Sequence, residues 1–167
     1  MRKLVLASFF LTFSVGMVLA QQKTIILIRH AEKASVAADS TSGDVDLSSE
    51  GRERAIRFAA VAKRYRPGEI FATAYKRTQQ TVEPIAKLRG KRVQIYDPAK
   101  HLELIELMVK SKTKRFVVVG HSNTIPLLAN LLAKKDMFKQ LPDTEYGVVW
   151  VIRISNGVFK KLVVYPY

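Results

Sequence analysis

The chain has 167 residues, no cysteine and a formal charge of +14. Its length suits one domain of ordinary size with its own core. The lack of cysteine excludes disulfides, thiolate catalysis and cysteine-ligated zinc sites. The positive charge favours anionic partners, namely phosphates, nucleic acid, anionic lipid or cell-envelope polymers. Because the bases are scattered along the sequence rather than clustered with aromatics, we expect no dedicated nucleic-acid binding.

Residues 1–20 have the pattern of a secretory signal peptide, with a basic start and an uncharged apolar run from Leu4 to Ala20. Val18-Leu19-Ala20 resembles a peptidase site, so cleavage is expected before Gln21. The run is also close to the shortest membrane span, and an uncleaved anchor is the alternative. We therefore expect a secreted or periplasmic domain over 21–167, without stable membrane association once the leader is removed.

The remaining chain alternates apolar runs with stretches of helical spacing. Short runs typical of buried parallel strands are 24–28, 70–74, 93–96 and 116–120. Helices are predicted from Ser48 to Pro67 and over 78–88, 101–110 and 125–133, with Pro84 expected to kink the second helix or delay its start. Two last runs, 147–154 and 158–164, are joined by Ser155-Asn156-Gly157 and predict a hairpin. We predict an α/β fold, a three-layer α/β/α sandwich with a mostly parallel central sheet and the hairpin at one edge.

Basic side chains follow three of these strands where each strand ends. Arg29 and His30 follow the first, Arg77 follows the second, and His121 follows the third. If the strands are parallel neighbours, the four side chains converge on one crevice, because ligands bind at the carboxyl ends of such strands. Arginine binds a dianionic phosphoryl group with a planar fork, and a neutral histidine can attack phosphorus. A solvated loop after each strand is the alternative interpretation.

Three motifs occur in a fixed order. They are Arg29-His30-Ala31-Glu32-Lys33, Lys76-Arg77-Thr78-x-x-Thr81 and Gly120-His121-Ser122-Asn123-Thr124. The set resembles the histidine phosphatase superfamily, with its phosphoglycerate-mutase-like fold, and most of all its short secreted bacterial members. The resemblance covers nearly all of the chain after Gln21. It implies a phosphatase that forms a phosphohistidine on His30, with Arg29, Arg77 and His121 holding the phosphoryl group.

The general acid that protonates the leaving oxygen is not evident from the sequence. Members of the family often use a carboxylate after the second strand region or an aspartate directly after the second histidine, where this chain has Ser122. Glu32, close to His30, and Glu145, before the hairpin, are the candidates, whereas Glu103 and Glu106 fit an exposed helix face. Ser122 and Asn123 lead into a helix N-terminus and are expected to extend the anion site.

No cofactor or metal is expected, because the histidines are far apart and lack a carboxylate motif at ligand spacing. His101 is interpreted as structural or exposed. The expected substrate is a phosphorylated small molecule or a phosphoprotein. Two other functions stay open: a phosphomutase, which the predicted leader disfavours, and a phosphate- or sugar-phosphate-binding module without turnover, which the missing acid allows.

Overall fold

The computed structural model of the chain describes residues 21–35 and 43–167. The predicted leader therefore lies outside the described residues. The elements in chain order are β1 (Gln22–Arg29), α1 (Ser49–Lys63), β2 (Glu69–Ala72), α2 (Lys76–Arg89), β3 (Val93–Ile95), α3 (His101–Lys110), β4 (Arg115–Gly120), α4 (Thr124–Ala133), β5 (Val148–Ser155) and β6 (Val158–Pro166). Within the described ranges, no helix is long and apolar enough to cross a membrane.

The six strands form one sheet in the order β3-β2-β4-β1-β5-β6. Strands β3, β2, β4 and β1 are parallel, while β5 and β6 are antiparallel to their neighbours and form the predicted hairpin at one edge. The hairpin turns through Asn156 and Gly157, both with positive φ, as a two-residue turn that matches strand twist requires. The predicted α/β architecture is confirmed.

Helices cover both faces of the sheet. Phe58 of α1 and Ile85 of α2 pack on one face with Ile26 and Ile28. Met108 of α3 and Leu128 of α4 pack on the other face. Every residue buried in these two clusters lies between Ile25 and Ile154, so a chain that begins at Gln21 contains both clusters.

Two of the boundaries that differ from the predicted ones affect the site. Strand β2 ends at Ala72, and α2 begins at Lys76, which places Arg77 in the first helical turn rather than before it. The helix continues through Pro84, so the delayed start considered from the sequence is wrong. Arg77 is therefore held by a regular backbone.

Gly51 of α1 packs directly on the segment that follows β1. A Cβ at this position would lie 2.3 Å from the backbone oxygen of Glu32, and backbone cannot move aside as a side-chain end can. We expect Gly51→Ala to lower the free energy of unfolding by about 1–3 kcal/mol, measured by urea denaturation. Gly43→Ala is the matched control, because its Cβ would meet nothing within 4 Å. Equal stability of the two variants would contradict this packing.

Candidate active site

A cavity of about 360 Å³ opens at the carboxyl ends of the parallel strands. Because β1 and β4 are neighbours with Arg29 opposite Gly120, the residues that follow them, His30 and His121, lie level with each other. Their ring centroids are 5.4 Å apart. The cavity is lined by Arg29, His30, Lys33, Tyr75, Arg77, Pro98, His121, Ser122, Asn123, Thr124 and Asp143. The structure thus brings together the four basic residues that the strand pattern singled out.

His30 is buried and held in one orientation. Its backbone N–H donates to Gly120, extending the β1–β4 ladder by one residue. Its Nδ1 lies 2.7 Å from the carbonyl oxygen of Ala31, an atom that can only accept, so Nδ1 carries the proton and Nε2 has a free lone pair. Burial, together with the charges of Arg77 and Arg29, lowers the pKa of His30 to about 3. The ring is therefore neutral at pH 7, as attack on phosphorus requires.

A chain of hydroxyl groups fixes the tautomer of His121. The Thr78 hydroxyl lies 2.7 Å from the carbonyl oxygen of Tyr75, to which it must donate. Thr78 Oγ1 therefore accepts from the Thr73 hydroxyl at 2.9 Å, and Thr73 Oγ1 in turn accepts from His121 Nε2–H at 3.0 Å. Both threonines are fully buried. In neutral His121 the proton is thus on Nε2, and Nδ1 carries a lone pair.

The Nδ1 atom of His121 is open to the cavity. It has no hydrogen-bond partner in the described part of the chain and is not among the buried unpaired atoms. Burial, with the charges of Arg77 and Arg29, lowers the pKa of His121 to about 4 while the site is free. A bound anion beside Nδ1 raises the pKa of His121, because it stabilises the protonated ring.

Both guanidinium groups line the cavity. Arg29 Nη1 donates to the carbonyl oxygens of Pro142 and Glu145 at 2.7 and 2.9 Å, and Arg77 stacks on the Tyr75 ring at 4.2 Å. The Nε–H of each arginine is buried and has no hydrogen-bond partner among the described residues. Two guanidinium groups at one cavity are suited to a bound oxyanion.

The second motif also supports the backbone beside His30. Thr81 Oγ1 accepts from the backbone N–H of Ala31 at 3.0 Å and donates to the carbonyl oxygen of Arg77 at 2.7 Å. This side chain therefore links the turn after β1 to the first turn of α2. The threonines of the second motif thus hold neighbouring site residues in position, a role that their spacing in the sequence did not indicate.

The two acid candidates from the sequence lie beside the cavity rather than on its lining. Glu32 is paired with Arg54, whose Nε lies 2.6 and 2.8 Å from the carboxylate oxygens. Burial alone would raise the pKa of Glu32, but these bonds hold it below its usual range, so Glu32 is ionised at neutral pH. Glu145 meets Arg29 through its backbone carbonyl. Asp143, which the sequence did not single out, does line the cavity, 3.5 Å from Arg29 Nη2.

Ser122 and Asn123 both line the cavity, at the start of α4. This is where the sequence placed the helix N-terminus expected to favour an anion. His101 is buried at the start of α3 and does not line the cavity. In the described part of the chain, no group of three or more His, Cys, Asp or Glu residues could hold a metal ion.

Comparisons with known proteins agree with this geometry. The family model of the histidine phosphatase superfamily (branch 1) matches residues 25–106. A comparison with curated proteins found no match. Among solved structures, mycobacterial glucosyl-3-phosphoglycerate phosphatase superposes with a TM-score of 0.65 at 14% identity, over 87% of this chain and 98% of that one.

Two further structures are similar. A candidate phosphohistidine phosphatase SixA from Agrobacterium tumefaciens has a TM-score of 0.62 at 21% identity, over 78% of this chain and 90% of that one. A candidate α-ribazole-5′-P phosphatase from Escherichia coli has a TM-score of 0.65 at 16% identity, over 87% and 96% of the two chains. At these identities the structures show the shared fold. The family model and the ordered motifs show that the chain belongs to the histidine phosphatase superfamily, and these structures agree with it in fold.

Proposed function

We propose that the protein is a phosphatase that transfers a phosphoryl group to His30 Nε2 and then to water. The observation that carries this proposal is the juxtaposition of a neutral, oriented imidazole with two arginines that line the same cavity. The family and the phosphatase names of the similar structures support it. The substrate is a phosphomonoester or a phosphorylated protein.

The chemistry follows from the positions of the donors. The lone pair on His30 Nε2 attacks phosphorus in line, and the bond from phosphorus to the leaving oxygen breaks. Arg29, Arg77 and protonated His121 stabilise the charge that spreads over the phosphoryl oxygens. The Nδ1–H bond to Ala31 keeps the ring in place while it becomes positively charged. A water molecule then attacks phosphorus, releases inorganic phosphate and restores the neutral ring.

The leaving group needs a proton unless it is a stable anion. Glu32 is committed to Arg54, and the Glu145 carboxyl does not line the cavity, so either would have to reorganise to act as the acid. Phosphohistidine and acyl phosphates have leaving groups that need no strong acid. We therefore expect these substrates to turn over faster than alkyl phosphates of similar size.

A binding module without turnover is the second candidate, because Asp143 is the one carboxylate among the residues lining the described cavity. Release of inorganic phosphate from phosphohistidine or acetyl phosphate, measured with an excess of chelator present, separates the two functions. The phosphatase proposal predicts many turnovers per chain and inhibition by vanadate, which mimics pentacoordinate phosphorus. Tight phosphate binding without turnover would favour the module, and activity lost on chelation but restored by zinc would favour metal hydrolysis.

Anion binding should take up a proton. Neutral His121 presents a lone pair to the cavity, so a dianion binds well only when Nδ1 gains a proton. Sulfate is a useful probe, because it stays dianionic over the tested pH range. We expect its affinity to fall by up to about tenfold per pH unit between pH 6 and 8, with proton uptake measured by calorimetry in two buffers.

Changing Thr73 tests the origin of that proton uptake. Thr73→Val removes the acceptor of Nε2–H and allows the neutral tautomer with Nδ1–H, so the pH dependence should weaken. Thr73→Ser keeps the hydroxyl and should retain it. Equal proton uptake in all three proteins would show that the hydroxyl chain does not control His121.

A further inference from the structure

Cations gather at the end of the sheet opposite the cavity. Each of the ranges 63–66, 89–92 and 112–115 carries three Lys or Arg residues and no acid, and 160–161 is a lysine pair. These ranges lie where α1 and α2 end, where β4 begins, and in β6 near the hairpin turn. They meet because helix C-termini and the amino ends of parallel strands share one end of an α/β sheet. We name these ranges, with Arg153, the basic end.

Hydrogen bonds join these segments into one continuous surface. The backbone N–H of Gly68, just after α1, donates to the carbonyl oxygen of Arg115 at 2.9 Å. Arg89 Nε, in the last turn of α2, donates to the carbonyl oxygen of Pro67 at 3.3 Å. The bases that are scattered along the sequence are therefore neighbours in the folded chain.

Three cations of the basic end form a row across the sheet. They are Arg115, Arg153 and Lys161. Arg115 and Arg153 pair with Thr24 from its two sides, and Arg153 pairs with Lys161. Directly paired residues point to the same face, and like charges placed opposite each other are unfavourable without a counter-ion. A strand irregularity beside Arg153 adds Lys160, and Arg153, Lys160 and Lys161 line a cavity of about 460 Å³. This row is suited to anionic groups.

Acids do not cancel this charge. Glu69 lies at the basic end and accepts from the Ser111 hydroxyl at 2.6 Å. Glu83 and Glu106 are paired with Lys87 and Lys110 of their own helices. Four loop acids, Asp44, Asp46, Asp97 and Asp143, instead lie at the opposite end of the sheet. The domain is therefore polarised, and an anionic surface would attract its basic end first.

Exposed aliphatic residues and the start of β1 indicate which anionic surface fits. Leu88 and Val158 are 52% and 54% exposed among the cations. Gln21, which donates to Asn156 of the hairpin turn, lies at this end and directly follows the apolar run Leu4–Ala20 in sequence. Aliphatic side chains among bases suit a bilayer interface, whereas single-stranded nucleic acid sites present aromatic platforms.

We propose that the basic end docks on the surface of an anionic phospholipid bilayer. The association is peripheral and electrostatic and needs no leader, so it departs from the sequence-based expectation that the chain has no stable membrane association once the leader is removed. Strand β1 runs from the basic end to His30, a length of about 25 Å. Docking therefore orients the cavity away from the lipid surface, toward substrates in the aqueous phase.

Vesicle sedimentation tests this surface directly. Chain 21–167, which contains both core clusters, is mixed with phosphatidylcholine vesicles that contain or lack phosphatidylglycerol. We expect binding to the anionic vesicles only, and release at about 1 M salt, where the Debye length falls to about 3 Å. No binding to anionic vesicles at low salt would overturn the proposal.

Matched charge reversals locate the binding surface. One variant carries Lys112→Glu, Lys114→Glu and Lys160→Glu, and the control carries Arg52→Glu, Arg57→Glu and Lys139→Glu, all exposed positions. Both variants have the same net charge. Because each base near the bilayer contributes about fivefold in affinity, the first should bind at least about 10²-fold more weakly and the control far less so.

If both variants lost the same affinity for anionic vesicles, net charge alone would account for binding, and the proposal would be overturned. If circular dichroism shows that the first variant is unfolded, the same three lysines are changed to glutamine, with a loss of about 10²-fold still expected. A duplex or single-stranded oligonucleotide serves as the competitor. If it binds through these lysines more tightly than the vesicles do, the surface belongs to nucleic acid and the lipid assignment is wrong.

Discussion

Replacing His30 with alanine should abolish turnover. The variant loses the Nε2 lone pair that attacks phosphorus, and His121 Nδ1 cannot replace it because a bound anion protonates that atom, so the loss in kcat should reach the order of 10⁴-fold or more. Initial rates of phosphate release from phosphohistidine or acetyl phosphate measure it. The substitution should leave sulfate binding measurable, because the arginines remain.

His101 provides the control for this experiment. It is the one histidine of the chain besides His30 and His121 and does not line the cavity, so His101→Asn should keep turnover within about threefold once the folded fraction is matched. If the His30 variant kept more than about a tenth of native turnover, a loss below roughly 1.4 kcal/mol, His30 would not be the nucleophile.

Replacing Arg77 with alanine should lower kcat/KM by about 10²–10³-fold, or roughly 3–4 kcal/mol, by analogy with the loss of one oxyanion donor. Among the described residues, Arg77 stacks on the Tyr75 ring and makes one long bond, to the carbonyl oxygen of Gly43 at 3.4 Å. Its fork is thus largely available to substrate. Arg77→Lys should recover only part of the rate, because an ammonium cannot form the planar two-point contact.

Lys76→Ala is the matched control for Arg77. Lys76 is the preceding cation in the same helical turn and does not line the cavity. Its removal should change kcat/KM by less than about threefold, an effect of general charge alone. If both substitutions lowered the rate equally, long-range attraction would account for the effect of Arg77, and direct contact with the phosphoryl group would be excluded.

The sequence predicted the parts of the site that follow a local pattern. Arg29 and His30 come after an isoleucine-rich strand, and His121 comes after a valine-rich one. The pattern of a buried strand followed by polar residues was therefore enough to predict where these side chains lie. It could not place Asp143, which reaches the cavity from a loop more than a hundred residues later along the chain. That contact depends on the carbonyl bonds between Arg29 and the loop, which have no signature in sequence.

The hydroxyl chain and the basic end show two other limits of sequence reasoning. Thr78 was visible in the second motif, but its effect on His121 depends on distances of about 3 Å that spacing does not give. The cations of the basic end looked scattered because they are spread from Lys63 to Lys161. Only the strand order brings them together, since it places loops distant in sequence at one end of the sheet.

The central claim is that phosphorus becomes bonded to His30, and a rapid alkaline quench during turnover tests it most directly. A phosphorus–nitrogen bond is labile in acid and stable in base, so the quenched chain should carry a base-stable, acid-labile phosphate. Mass spectrometry should locate it in the peptide that contains His30, and native enzyme quenched without substrate should carry none. Phosphate found on another residue, or steady turnover with no trapped phosphate at any time, would contradict the account.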